Sequence, residues 1–140
     1  MRALGLDIGT KSLGVAITDE NKSIVSPIAN LKFSAFVTNQ YLEAIKNIIL
    51  KYGKFDTIVV GYPLKLNSLH SQWTDQVCFF VKQVQDAFPH QNVLLWDERN
   101  STKKATEHLK FNLGLKSSQI KKHKDKFSAV VILQDYLDSL

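Results

Sequence analysis

The sequence predicts an α/β fold: a mixed sheet with three antiparallel strands first and parallel strands after them, and helices packed on the sheet. Three observations carry that expectation. Apolar runs at residues 3–7 (ALGLD), 57–62 (TIVVGY) and 92–97 (NVLLWD) are bounded by turn or polar residues, as buried strands are. Two more strand-like runs follow the first with only short turns between them, which implies an antiparallel start. Beyond them, strands alternate with stretches of helical spacing, the pattern that crossover connections impose on parallel strands.

The elements follow in order. The first strand ends in Asp7 and breaks into a turn containing Gly9, Thr10 and Lys11, with Gly14 just beyond. Residues 14–19 (GVAITD) and 23–31 form the second and third strands, joined around residues 20–22. Tyr41, Leu42, Ile45, Ile48, Ile49 and Tyr52 line one face of a first helix, and Gly53 stops it. Val77, Phe80, Val81, Val84 and Phe88 line a second, ended by Pro89. Ser101 is a good N-cap for a short polar helix running to Asn112, with Gly114 past its end. Residues 125–137 make a last helix that is apolar on nearly all sides and so packs deeply. Residues 63–72 and 115–124 are polar and fit no element; both lie where a site would be entered. With no repeat and no linker, residues 1–140 read as a single domain.

Composition narrows the function classes. With 44% hydrophobic and 22% charged residues, the chain reads as an ordinary globular protein. No apolar run approaches the roughly 20 residues of a membrane span. No signal-peptide pattern precedes the first strand, so a cytoplasmic protein with no membrane partner is expected. A lone Cys78 among Val77, Phe79, Phe80 and Val81 reads as a buried reduced thiol, with no positioned base to make it a nucleophile. The net charge of +5 comes from lysine, Arg2 and Arg99 being the only arginines. Lys103, Lys104, Lys116, Lys121, Lys122, Lys124 and Lys126 gather in the C-terminal third, either as a nucleic-acid surface or as a solvated face.

The carboxylates are more informative. Ligands of α/β sheets collect at the carboxyl ends of strands. Asp7 lies towards the end of the first strand, Asp97 and Glu98 end the run NVLLWDE at 92–98, and Asp125 starts the last helix. Each has a plain structural role open to it: a strand-end turn residue, a partner for Arg99, a favourable charge at a helix N-terminus. Together, at the ends of elements expected to pack against one another, they would repel unless a cation neutralised them. Such hard oxygen ligands suit Mg²⁺. His70, His90, His108 and His123 lie in separate segments without metal-ligand spacing, and Trp73 and Trp96 read as core or core-edge anchors.

Four blocks carry a resemblance: LGLDIGTKSLGVAITD at 4–19, IVVGYPLKLNSL at 58–69, DERNST at 97–102 and DKFSAVVILQDYLDS at 125–139. In order and spacing they resemble the YqgF-like family, described as Holliday-junction resolvases and as pre-16S rRNA nucleases, with an RNase H-like fold. The resemblance spans essentially the whole chain. It implies an Mg²⁺-dependent phosphodiesterase, with Mn²⁺ as a substitute, whose acidic triad falls on Asp7, Glu98 and Asp125. Asp97 is the rival to Glu98, because the block holds both acids. The implied products are a 5′-phosphate and a 3′-hydroxyl. Lys11 and Arg99 would hold flanking phosphates, and Thr102, Lys103, Lys104, Lys122 and Lys124 would extend that grip. The implied substrate is precursor rRNA first, with association with a ribosomal subunit, and branched DNA second. The chain departs from the family at Ser12, where arginine is usual, at Asn67 and Ser68 in place of Asp-Gly, and at Asn100 and Ser101 before Thr102. These departures spare the implied ligands and bear on substrate grip around residues 63–72.

Two other readings compete. The stretch DIGTKSLGVAITD also looks like the first phosphate motif of actin-like ATPases and sugar kinases. Those proteins hold ATP between two such domains, and no second glycine-rich loop is present here. A non-catalytic nucleic-acid-binding module would tolerate loss of the acids, and none is lost. The nuclease reading is favoured.

Overall fold

The computed structural model describes residues 1–62, 72–97 and 124–140. The helix expected at 101–112, and most of the two unassigned polar stretches, lie outside the described residues. The elements are β1 (Arg2–Ile8), β2 (Ser12–Thr18), β3 (Val25–Lys32), α1 (Thr38–Tyr52), β4 (Phe55–Tyr62), α2 (Gln72–Ala87), β5 (Asn92–Asp97) and α3 (Lys124–Asp138). The strands form one five-stranded sheet in the order β3-β2-β1-β4-β5. β1–β2 and β2–β3 are antiparallel, whereas β1–β4 and β4–β5 are parallel, so the expected mixed sheet is present. β3 lies at an edge, which is where a strand tolerates Pro27, a residue with no N–H for the ladder.

Period-two alternation divides the buried side chains between two faces. Leu4, Leu6 and Ile8 of β1, with Val15 of β2 and Ile58 and Val60 of β4, pack under α1 and α2 through Tyr41, Ile45, Val77, Phe80 and Val84. Ala3, Ala16 and Val59 face the opposite way, onto Phe127, Ala129, Val130, Ile132 and Leu133 of α3. α1 and α2 are amphipathic because each covers the sheet with one stripe. α3 lies across β1, β2, β3 and part of β4, and is buried from Phe127 to Leu133 apart from half-buried Ser128.

α3 comes close enough to β1 for backbone to matter. A Cβ on Gly5 would stand 2.8 Å from Leu133 Cβ and 2.9 Å from the Ala129 carbonyl oxygen. Ala16 pairs with Gly5 across the ladder, so the floor beneath the helix is made of small residues. At the other end of α3, Trp96 Nε1 donates to Asp135 at 2.7 Å and its ring meets Tyr136 edge-on.

Two sequence expectations shift. α1 begins at Thr38, earlier than the apolar stripe that starts at Tyr41, because its first turn is polar. Cys78 is half-buried rather than buried, and its neighbour Phe79 is 61% exposed. The helical period turns Val77, Phe80, Val81 and Val84 inward and leaves positions 78 and 79 on the flank. Gly53 does end α1, with φ at 90° in the region that favours glycine, and its N–H donates to the Ile49 carbonyl.

Candidate active site

Asp7 sits at the carboxyl end of β1, paired with Gly14 of β2, so no side chain stands beside it on that strand. Parity along β1 gives Asp7 the face of Ala3 and Gly5, the face that α3 covers, and the residue is half-buried there. Gly5 touches α3 at Ala129. Asp7 is one pleat beyond that contact along β1, and position 125 is one helical turn before it along α3.

The turn after Asp7 is held at several points. Gly9 N–H donates to the Ser12 carbonyl at 2.8 Å, and Phe33 N–H donates to the Lys11 carbonyl at 2.8 Å. Tyr41 Oη donates to the Gly9 carbonyl at 2.8 Å. The Tyr41 ring is fully buried, stacked on Phe33 at 4.3 Å and met edge-on by Phe36 and Phe80. Burial pushes the Tyr41 hydroxyl above its ordinary pKa, with the Ser12 backbone drawing it partly back, so it remains a proton donor at neutral pH. Lys11 stands exposed on this turn.

The carboxyl end of β5 lies at the same edge of the sheet. Leu6 pairs with Val60, Val60 with Leu95, and the β4–β5 ladder closes at Tyr62 and Asp97. β1 and β5 therefore end on either side of β4, about 10 Å apart at the usual strand spacing. Leu94 and Trp96 pack on the α3 side. The side chains of Asp97, Asp125 and Lys124 lie outside the described residues, as do Glu98, Arg99, Thr102, Lys103, Lys104 and Lys122 altogether. Among the described residues, no three His, Cys, Asp or Glu side chains converge. The geometry thus brings Asp7 and Lys11 to one edge with the backbone of positions 97 and 125 on neighbouring elements. Sequence reasoning passed over Gly5 and treated Tyr41 only as core. A glycine inside the apolar run at 3–7 is a signal of close backbone approach; nothing local marks the Tyr41 hydroxyl.

The model of the RuvX family, described as Holliday junction resolvase, matches residues 1–139. The chain belongs to that family. A "Putative pre-16S rRNA nuclease" from Bacillus pumilus is 39% identical over 140 residues, covering 100% of this chain and 99% of the relative. One of the same name from Mycoplasmopsis pulmonis is 37% identical, covering 99% of this chain and 94% of the relative. Among solved structures, the fowlpox virus Holliday junction resolvase aligns over 100% of both chains with a TM-score of 0.59 and 18% identity. T. thermophilus RuvC, in complex with a Holliday junction substrate, aligns over 94% of this chain and 92% of its own with a TM-score of 0.61 and 13% identity. At those identities the structures establish a shared fold, the RNase H-like sheet expected from the motifs. RuvX membership bears out the nuclease class, a hydrolase acting on phosphodiester bonds.

Proposed function

We propose that this RuvX-family chain is a metal-dependent nuclease that trims the 5′ end of pre-16S rRNA in the cytoplasm, in association with a ribosomal subunit. The observation that carries the site is the placement of Asp7, half-buried at the carboxyl end of the central strand and one pleat from the contact between Gly5 and α3. Asp125, one turn from the same contact, is the second ligand. Glu98 is the third, as the family motif at 97–102 implies, with Asp97 as its rival. The donor set is all carboxylate oxygen, which fits a hard cation: Mg²⁺, with Mn²⁺ as a substitute.

When bound, such ions supply charge that stabilises a developing oxyanion and lowers the pKa of a water nucleophile. The chain's own residues do the rest. Asp7, Glu98 and Asp125 hold the ions through carboxylates whose mutual repulsion the ions relieve. Lys11 and Arg99 bind the phosphates flanking the cleaved bond, and Thr102, Lys103, Lys104, Lys122 and Lys124 continue that contact. These groups position a backbone without reading its sequence.

Precursor rRNA is preferred over a four-way DNA junction because full-length relatives 39% and 37% identical carry the rRNA name, whereas the junction-bound fowlpox resolvase and T. thermophilus RuvC share 16% and 13% of residues. The test offers both substrates to the purified protein with Mg²⁺. Cleavage of a pre-16S 5′ fragment, an intact junction and full inhibition by EDTA are expected. Cleavage of the junction alone would transfer the reading to resolution, and equal cleavage with EDTA would remove the metal from it.

A further inference from the structure

From the hydrogen bond beneath the β1–β2 turn, we infer that Tyr41 is a positioning residue of this site, holding Asp7 and Lys11 at a set separation for metal and phosphate. The inference rests on the proposed roles of those two residues. Asp7 is followed by only one residue, Ile8, before Gly9, and Lys11 comes two residues after Gly9. Both polar groups of Gly9 are engaged: its N–H by the Ser12 carbonyl and its carbonyl by Tyr41 Oη, each at 2.8 Å. The same tyrosine braces the far side of the turn. Its ring stacks at 4.3 Å on Phe33, whose N–H holds the Lys11 carbonyl.

The ring itself has little freedom. It is fully buried and edged by Phe36 at 4.8 Å and Phe80 at 6.1 Å, so the hydroxyl is presented from a fixed point in the core. Upstream, Asp7 is held by its ladder pairing with Gly14. Downstream, the first anchor outside the hairpin itself is Tyr41. A glycine-containing turn without that anchor would sample other orientations, and a ligand carried on its edge would lose part of its pre-organisation.

Tyr41→Phe removes the hydroxyl and keeps the ring. Binding of Mg²⁺ to the substrate-free protein is measured by calorimetry, and cleavage is measured across a range of Mg²⁺ concentrations. The expected result is a Kd for Mg²⁺ weakened about 10-fold, the size typical of losing a group that orients a metal ligand. The Mg²⁺ concentration for half-maximal cleavage should rise in step, and KM for RNA at saturating Mg²⁺ should stay near wild type. Val84→Ala serves as the control, because it loosens the same core cluster without touching the turn. It should lower the melting temperature and leave Mg²⁺ binding unchanged. A Tyr41→Phe protein with wild-type Mg²⁺ affinity, beside an inactive Asp7→Asn protein, would overturn the positioning role and leave the nuclease reading standing. An active Asp7→Asn protein would overturn both.

Discussion

β2 is entered and left through turns that are built in opposite ways. At its far end Asp19 makes the turn itself: its carboxylate accepts from Ser23 N–H at 2.7 Å, Ser23 Oγ–H at 2.7 Å and Ile24 N–H at 3.0 Å. Those bonds, Ile24 first, hold the Asp19 carboxyl below its ordinary pKa. At its near end the turn after Asp7 is closed by other groups, the Ser12 carbonyl, the Phe33 N–H and the Tyr41 hydroxyl. Both acids stand next to a turn in the sequence, in LDIGT and in ITDEN, and nothing local separates them. What separates them is their place in the sheet. Asp19 follows the far end of β2 and holds its own turn, whereas Asp7 lies at the end of the central strand, at the edge where β5 also ends.

The sharpest way to break that contrast is to neutralise each acid in turn. Asp7→Asn should lower Mg²⁺-dependent RNA cleavage about 100-fold or more, as loss of a direct metal ligand does, while the protein stays folded. Asp19→Asn should do the reverse, lowering the melting temperature and leaving cleavage unchanged. Activity assays and thermal melts on both proteins decide it. A destabilised but active Asp7→Asn protein would make the two turns alike and remove Asp7 from the chemistry.

Asp125 extends the comparison to α3. As a helix N-terminal charge it would add about 0.3–1 kcal/mol of stability and nothing to catalysis. As a metal ligand beside Asp7 it strains the metal-free protein by repulsion, so the two roles predict opposite signs. Asp125→Asn is expected to melt no lower than wild type without metal, to lose the stabilisation that Mg²⁺ confers, and to cleave at a small fraction of the wild-type rate. Paired melts with and without Mg²⁺ separate the roles.

Gly5→Ala comes next in size. The added methyl would meet Leu133 Cβ and the Ala129 carbonyl at under 3 Å, and one of those is backbone, so α3 must move. Overpacking of this kind costs about 1–3 kcal/mol. Because the shift falls between Asp7 and position 125, cleavage by the folded mutant should also drop, and more Mg²⁺ should recover part of it. Denaturant unfolding gives the stability change, and cleavage measured well below the midpoint gives the second effect. Lost stability with full activity would show that the spacing of α3 from β1 does not matter to the site.

How much of this was legible in the sequence differs between fold and site. Strands announced themselves by apolar and β-branched content: the expected 3–7 and 92–97 became Arg2–Ile8 and Asn92–Asp97. Helix starts were harder, since Thr38, Asn39 and Gln40 carry no apolar side chain and Val37 makes no side-chain cap. The strand-end position of Asp7 was legible because a carboxylate closing an apolar run marks where a buried strand reaches the surface. Gly5 and Tyr41 were not, because their parts depend on which backbone lies above the sheet and which carbonyl lies beneath the turn. Those facts exist only after the chain has folded.

The smallest expected effect belongs to the far turn and fixes the baseline for the contrast. Lys22, in the left-handed region at φ 56°, reaches Asp56 at 2.8 Å and ties the Asp19 turn to the start of β4. Burial opposes ionisation of Asp56, but the Lys22 and Thr57 hydrogen bonds and the Lys22 charge outweigh it and hold the carboxyl below its ordinary pKa. A carboxyl whose pKa is lower folded than unfolded contributes stability above its unfolded pKa, and that contribution is lost as pH falls through the folded value. Asp56→Asn should therefore be less stable than wild type at neutral pH by under about 1 kcal/mol, given that both partners are partly exposed and screened by solvent. The difference should shrink below the ordinary carboxyl pKa of 3.8 and vanish once the native Asp56 is protonated. High salt should shrink it at neutral pH as well. Cleavage should be unaffected throughout, because this tie lies at the opposite end of the sheet from Asp7. Denaturant melts of the two proteins across an acid series measure the gap. A gap that stayed constant with pH would mean that Asp56 acts through packing, and that the charge tie adds nothing to the turn that Asp19 already closes.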